Sequence, residues 1–405
     1  MDFRDISLEE LVGNVKSKKI SATEVTQAAI DNIEKLDHEI NAFCSTNHED
    51  ALAQAESIDA RIQNGEDVGK LAGIPIGVKD LEDAKGFVTA FGSELHVNDA
   101  PAKEDSILVR RMRDEGCIVL GKTNTPEFGH KGKTDNGPFG ATKNPWNLEF
   151  SPGGSSGGTS AALASGMIPL GTGSDGGGSI RIPAALGGLA GIKTSQGRIP
   201  IGGDTPPGSG LLTVKGPMAN TTKDNALALD ATVGPHPTDI FSLEGENLNW
   251  FSQLTGELPK SAIWSPTMGF STVDKEVMEQ CEIAINKLAD AGVEIIEKET
   301  IWSENPVEAW MVFWASACAR RQQHLIGTDD FEKIDPLLRL FIEMGTTMDG
   351  ASYAISVDSC HKLGFQLQQF FNESPLIITP ATCGQAPKLE GDGFVNGEET
   401  PSWVD

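Results

Sequence analysis

The sequence has no cysteines paired as CxxC and no Cys/His cluster at zinc spacing; its six cysteines stand far apart, at 44, 117, 281, 318, 360 and 383. It also lacks an apolar run near the roughly 20 residues that a bilayer crossing takes. Zinc-finger, dithiol-redox and membrane-spanning classes are therefore not expected. The first ten residues, MDFRDISLEE, carry neither a basic nor an apolar stretch. No secretory signal is expected, and a reducing cytoplasm with free, mostly buried thiols is the simplest setting. Basic residues are scarce as well: 32 Lys and Arg against 58 Asp and Glu leave a net charge of −26. Such a surface repels nucleic acid and anionic lipid, so neither is expected as a partner. Tyrosine occurs once, at Tyr353, with no functional reading. Repeats and low-complexity linkers are missing, and 39% apolar with 22% charged residues is ordinary, which argues against disorder, collagen and coiled coil.

What the chain has in excess is glycine. Of 45 glycines, 21 fall between residues 137 and 216, where only Glu149, Asp175 and Asp204 are acidic against five bases. That segment carries +2 and the remainder −28, so it reads as an interior wrapped in an acidic shell.

Around it the pattern alternates between helix and short apolar strand. Two capping boxes open the chain, Ser7-Leu-Glu-Glu10 and Ser21-Ala-Thr-Glu24. A helix over about 50–64 stops at Gly65; GIPIGV (73–78) and CIVL (117–120) read as buried strands, with a helix near 105–115 between them. Beyond 222 come helical KDNALALDATV, strand-like SAIWSP, the amphipathic DKEVMEQCEIAINKLADAG, strand-like VEIIEKE, helical stretches near 306–326 and 352–371, and LIITPA (376–381) as a late strand. This alternation argues an α/β fold class.

Three short motifs match by letter and fail by context. Gly116-CIVL-Gly121-Lys122-Thr123 fits a P-loop, but its spacer is the strand itself, whereas phosphate needs the loop after a strand. Gly171-Thr-Gly173-Ser-Asp-Gly176 fits a dinucleotide fingerprint, but continues as GGSIRIPAA with Pro183 close behind. Gly154-Ser-Ser156-Gly-Gly158 fits a hydrolase elbow, but turn-like NPWNLEFSP stands where a strong strand is required. Seven histidines occur, none in a telling context; a lone one such as His130 or His324 is usually structural or exposed.

The long combination is what carries weight: GIPIGVKD (73–80), then SPGGSSGGTSAALASG (151–166), then GTGSDGGGSIRIPAALGGLAGIK (171–193). It closely resembles the amidase signature family over roughly 70–235. The resemblance implies one domain over 1–405, a central mixed β-sheet covered on both faces by helices, with N-terminal helices over 1–66, the signature core over 67–235, and peripheral helices and the late strand over 236–405. The resemblance implies Ser179 as the acylated nucleophile, Ser155 as a bridging serine after a cis peptide bond, and Lys79 as the catalytic lysine. It also implies an oxyanion hole from the amides of Gly176, Gly177, Gly178 and Ser179, with Ser156 in support and Asp175 and Arg181 holding the loop. No metal or organic cofactor is implied, the substrate would be a small-molecule amide, and a homodimer is the candidate assembly.

Those residue types suit the chemistry. A serine hydroxyl needs a base to become a nucleophile. A lysine becomes such a base near neutral pH only when burial disfavours its ammonium form. Lys79 follows the apolar IPIGV, which offers that setting. Glutaminase subunits of tRNA-dependent amidotransferases in this family usually read DTGGSIRQP and GPMAR, whereas this chain reads DGGGSIRIP and GPMAN (216–220). With the acidity, this favours a free-standing amidase over that alternative. Family members usually continue beyond a strand such as LIITPA with further strands, while this chain ends in the polar KLEGDGFVNGEETPSWVD. A truncated, inactive remnant is therefore a further alternative.

Overall fold

The computed structural model describes residues 1–405 except 204–211, 245–248, 255, 392 and 401–405, so the last five residues of the polar tail lie outside the described residues. Its contacts group the chain into two compact units: Met1–Leu254 with Glu332–Asp335, and Thr255–Phe331 with Pro336–Asp405. Where the sequence reads as one domain, the late helices thus find their main partners among themselves.

The first unit opens with helices α1 (Leu8–Lys16) and α2 (Ala22–Ile40). At Ser21 both halves of the capping box form; at Ser7 the hydroxyl accepts from the Glu10 amide. Next come β1 (Phe43–Thr46), α3 (His48–Gln63), β2 (Pro75–Lys79), α4 (Ile107–Asp114) and β3 (Ile118–Thr123). The glycine-rich segment supplies α5 (Gly157–Ala164), β4 (Leu170–Asp175), α6 (Arg181–Gly187), β5 (Ala190–Gly191) and β6 (Val214–Ala219), followed by α7 (Thr222–Thr232) and α8 (Trp250–Gln253).

Six strands make one mixed sheet in the order β1-β3-β2-β4-β6-β5. The centre, β3-β2-β4, is parallel; β1, β6 and β5 pair antiparallel. Helices flank the sheet, as the resemblance implies, with α5 against β1 to β4 and β6, α3 against β3, and α7 against β6. Strands β2 and β3 are buried along their whole length, which explains their continuous apolar reading. Of the segment 137–216 expected as an interior, 151–164 is buried throughout, whereas 137–150 and 181–203 are largely half-buried or exposed because they run along the rim of the sheet's packing. In β3 the strand runs on through Gly121, Lys122 and Thr123, so the P-loop lysine lies inside the sheet.

The second unit holds a three-stranded parallel sheet in the order β8-β7-β9, from β7 (Ser261–Trp264), β8 (Glu294–Glu297) and β9 (Ile377–Ile378). Helices α9 (Lys275–Asp290), α10 (Val307–Gln322), α11 (Pro336–Thr346) and α12 (Gly350–Phe371) accompany it, and β10 (Phe394–Val395) pairs with β11 (Glu398–Glu399) in a hairpin. Only the core of LIITPA forms a strand, and α11 has no counterpart in the sequence reading. Among the described residues no helix is long and apolar enough to cross a membrane.

Candidate active site

Lys79 ends β2 with its side chain fully buried. Its amide donates to Thr172 Oγ1 of β4 (2.9 Å), which fixes the strand end beside the glycine-rich segment. Among the described residues its Nζ meets three hydroxyls and no carboxylate: Ser155 at 2.7 Å, Ser156 at 2.9 Å and Ser174 at 3.1 Å. Burial without an ionic partner lowers the lysine pKa from 10.5 to about 7, while Asp175 and Glu82 at longer range pull it back up.

The three hydroxyls come from two elements. Ser155 and Ser156 directly precede α5, and the Gly154–Ser155 peptide is cis, as the resemblance implies. Ser174 sits in β4 two residues past Thr172, so the alternation of a strand turns both towards Lys79. The Ser174 amide also reaches Ser156 Oγ at 3.4 Å. Ser174 is a site residue that the sequence reading missed; the signal available was the period-two spacing Thr172–Ser174 opposite a buried lysine.

Behind this group a row of buried threonines ties the elements together. Thr159 Oγ1 donates to the Thr172 carbonyl (2.9 Å) and is met by Thr123 Oγ1 (2.6 Å). Since the first bond uses the Thr159 proton, Thr123 must be the donor in the second.

Ser179 lies half-buried in the turn between β4 and α6. It is joined to the serine loop through its backbone: its carbonyl accepts from the Ser156 amide at 3.1 Å. Among the described residues no hydrogen bond links the Ser179 hydroxyl to Ser155.

Asp175 organises the turn that carries Ser179. Its fully buried carboxylate accepts the amides of Gly178 (2.8 Å), Ile180 (3.2 Å) and Arg181 (3.3 Å), and two guanidinium donors of Arg181, each at 2.9 Å. Burial alone would raise its pKa, but the Arg181 hydrogen bonds and charge hold the carboxyl below its usual range. Gly178 takes φ +116°, which a side chain would strain, and this turns its N–H inward to Asp175. Gly178 therefore departs from the expectation for an oxyanion donor: its amide is already committed. The Gly177 and Ser179 amides make no hydrogen bond among the described residues.

On the other side, the turn 127–134 closes over the serine loop. Gly129, at φ +71°, stands so near Ser155 that a Cβ there would lie 3.1 Å from Ser155 Oγ and 2.8 Å from Leu81 Cδ1. A Cβ on Gly154 would meet the Lys133 amide at 2.8 Å and the Lys131 carbonyl at 3.0 Å. Thr134 Oγ1 donates to the Gly153 carbonyl at 2.8 Å. His130 is buried within this turn, as a structural histidine would be, and has a specific charged neighbour in Asp335.

Lys122, whose P-loop reading failed by context, lies 3.1 Å from Asp80 and donates to Thr89 Oγ1 at 3.0 Å, both partners buried. Among the described residues, no group of three or more His, Cys, Asp or Glu is placed to hold a metal ion.

Comparison with known proteins bears on this arrangement. The sequence profile described as Amidase matches residues 24–395. An acylamidase of Rhodococcus erythropolis is 31% identical over 408 residues, covering 99% of this chain and 82% of that protein. A glutamyl-tRNA(Gln) amidotransferase subunit from Bdellovibrio bacteriovorus is 38% identical over 299 residues, covering 73% of this chain and 60% of that one. Among solved structures, a bacterial aryl acylamidase of the amidase signature enzymes superposes with a TM-score of 0.92 at 29% identity, over 98% of this chain and 85% of that chain.

Proposed function

The chain belongs to the amidase family of amide-hydrolysing enzymes, and from that premise we propose that it cleaves its substrate through an acyl intermediate on Ser179, with Ser155 and Lys79 as the proton relay. One observation carries the reading: a fully buried lysine whose side-chain partners among the described residues are three hydroxyls. An ammonium offers three donors and could satisfy all three. A neutral amine offers two donors and one lone pair, so one hydroxyl must donate to it. Ser155 is nearest and takes that part; Ser156 and Ser174 accept the two N–H bonds and so aim the lone pair.

The steps balance as follows. Lys79 Nζ takes the Ser155 hydroxyl proton as Ser155 takes that of Ser179, whose hydroxyl turns towards Ser155 when substrate is bound. Ser179 Oγ bonds to the amide carbon and the carbonyl becomes an oxyanion. The amides of Gly177 and Ser179 receive it, each well-placed donor contributing about 3–4 kcal/mol, while Gly178 keeps the loop fixed through Asp175. The C–N bond then breaks, and the proton on Lys79 returns through Ser155 to the leaving nitrogen. Water, deprotonated by the same relay, adds to the acyl carbon; the bond to Ser179 Oγ breaks, the proton on Lys79 returns through Ser155 to Ser179 Oγ, and the acid leaves. Likeness to an acylamidase and an aryl acylamidase supports an N-acyl amine as the substrate class. Six unpaired cysteines fit a cytoplasmic setting.

A fluorophosphonate probe tests the reading: it should label Ser179 in the folded protein, and Ser179→Ala should abolish the label. Folded protein that takes up no label sinks the acyl-serine reading and favours an inactive remnant. The alternative of a glutaminase component rests on the 38% identical amidotransferase protein, of which this chain spans 60%. Ammonia release from glutamine only with the other components of such a complex present would favour it.

A further inference from the structure

The turn Glu127–Gly129 and the residues after it press on Ser155, yet this turn is not at ease by itself. Phe128 holds φ +50° and Phe91, stacked on it at 5.7 Å, holds φ +54°. Left-handed backbone at bulky residues persists only where surrounding contacts over-determine it. Within the first unit one residue supplies several of those contacts. The Asp335 amide donates to Glu127 Oε2 at 2.7 Å. Its carboxylate lies 3.1 Å from His130 Nε2 and 2.9 Å from Lys131 Nζ. The other ring nitrogen, His130 Nδ1, is 2.7 Å from the Glu127 carbonyl, so the buried ring lies between that carbonyl and the Asp335 carboxylate. Glu127 is held at its second oxygen by Ser93 Oγ at 2.5 Å. Asp335 thus grips three of the five residues from 127 to 131, and Gly129 between them faces Ser155 Oγ. Burial would raise the Asp335 pKa, but His130 and Lys131 hold its carboxyl far below the usual range, so the grip stays ionic.

We propose that Asp335 is a positioning residue for amide hydrolysis, holding the His130–Lys131 turn so that Gly129 keeps Ser155 in line between Lys79 and Ser179. It rests on the acyl-Ser179 reading above. Asp335 touches no reacting atom and acts through the turn. Losing it lets Phe128 relax from its left-handed conformation, and Ser155 gains room to leave the lysine.

The test is hydrolysis of p-nitroacetanilide by the whole chain, with active sites counted by fluorophosphonate labelling. Asp335→Ala should lower kcat per labelled site about 10- to 100-fold, as expected of a small misplacement at a reacting group. KM should stay within about twofold, since substrate contacts are untouched, and Asp335→Glu should recover most of the rate. A role limited to stability would lower the melting temperature and the number of labelled sites, but not the rate of each. Wild-type kcat per labelled site in Asp335→Ala, well below its melting temperature, overturns the inference. Should that variant fail to fold, Asp335→Asn, which keeps the shape without the charge, is read by the same two outcomes. Absence of label on wild-type Ser179 would overturn the acyl-serine reading and this inference with it; a labelled wild type with an unimpaired variant overturns this inference alone.

Discussion

Lys79 in β2 and Lys122 in β3 are both fully buried, one strand apart. Because Lys79 pairs with Thr123 and Val78 with Lys122, the two side chains leave opposite faces of the sheet. Lys122 faces the Asp80 carboxylate at 3.1 Å, and Lys79, among the described residues, faces hydroxyls alone. Burial raises the pKa of Asp80, and Lys122 opposes that rise. On the Lys79 side nothing near at hand compensates an ammonium, so the lysine sits at about 7. The partner, not the depth, separates a structural lysine from one that can act as a base.

The contrast breaks most sharply if each lysine is replaced by methionine. Lys79→Met should lower amide hydrolysis by about 10²–10⁴-fold, the range of a lost general base, with thermal stability unchanged or raised, because a buried amine whose protonation the fold disfavours is removed. Lys122→Met should do the reverse to the fold: it strands a buried carboxylate, which costs about 3–5 kcal/mol in denaturant unfolding. A Lys79→Met protein that loses stability as heavily as Lys122→Met would erase the distinction.

Next in size is the pH dependence. The base must be neutral, so kcat/KM should fall about tenfold per unit below the limb that Lys79 sets near 7. The same group enters stability with a defined sign. Between about 7 and 10.5 the unfolded chain holds the Lys79 proton that the folded chain has released. The wild type should therefore gain stability relative to Lys79→Met as pH rises through that window, and lose that gain below it. Parallel pH–stability curves for the two proteins would contradict this.

Smaller effects probe the partners one at a time. Ser174→Ala removes one of the two hydroxyls that aim the Lys79 lone pair, and should cost roughly tenfold in kcat, the equivalent of one hydrogen bond. Thr89→Ala removes the hydroxyl that accepts from Lys122 and donates to Asp83 Oδ1 (2.7 Å), and should cost about 1–2 kcal/mol of stability with activity unchanged. A rate loss in the threonine variant equal to that of the serine variant would join two clusters that the structure keeps apart.

Much of this was legible in the sequence where the residues themselves carry the signal. The apolar run before Lys79 announced a buried strand, and the glycines of 137–216 announced an interior that 151–164 supplies. What stayed hidden depends on register or on distance along the chain. Ser174 sits in β4, whose sequence LGTGSD is too rich in glycine to read as a strand, and its alignment with Lys79 exists only once β2 and β4 pair. Gly178 reads like its neighbours, yet only its φ decides that its amide turns to Asp175. His130 looked solitary because its charged neighbour, Asp335, is about two hundred residues away. The grouping of residues 332–335 with the first unit was equally invisible, since the flanking segments belong to the second.

The serines at 155 and 156 end where α5 begins, and no side chain caps that helix. The aligned peptide dipoles of α5 therefore place a fractional positive charge, about half a unit at most, at the doorstep of the relay. A positive potential there works against an ammonium on Lys79 and in favour of negative charge growing on an oxygen of Ser155. The backbone of α5 thus adds to what burial does to the lysine, through atoms that no side-chain substitution removes.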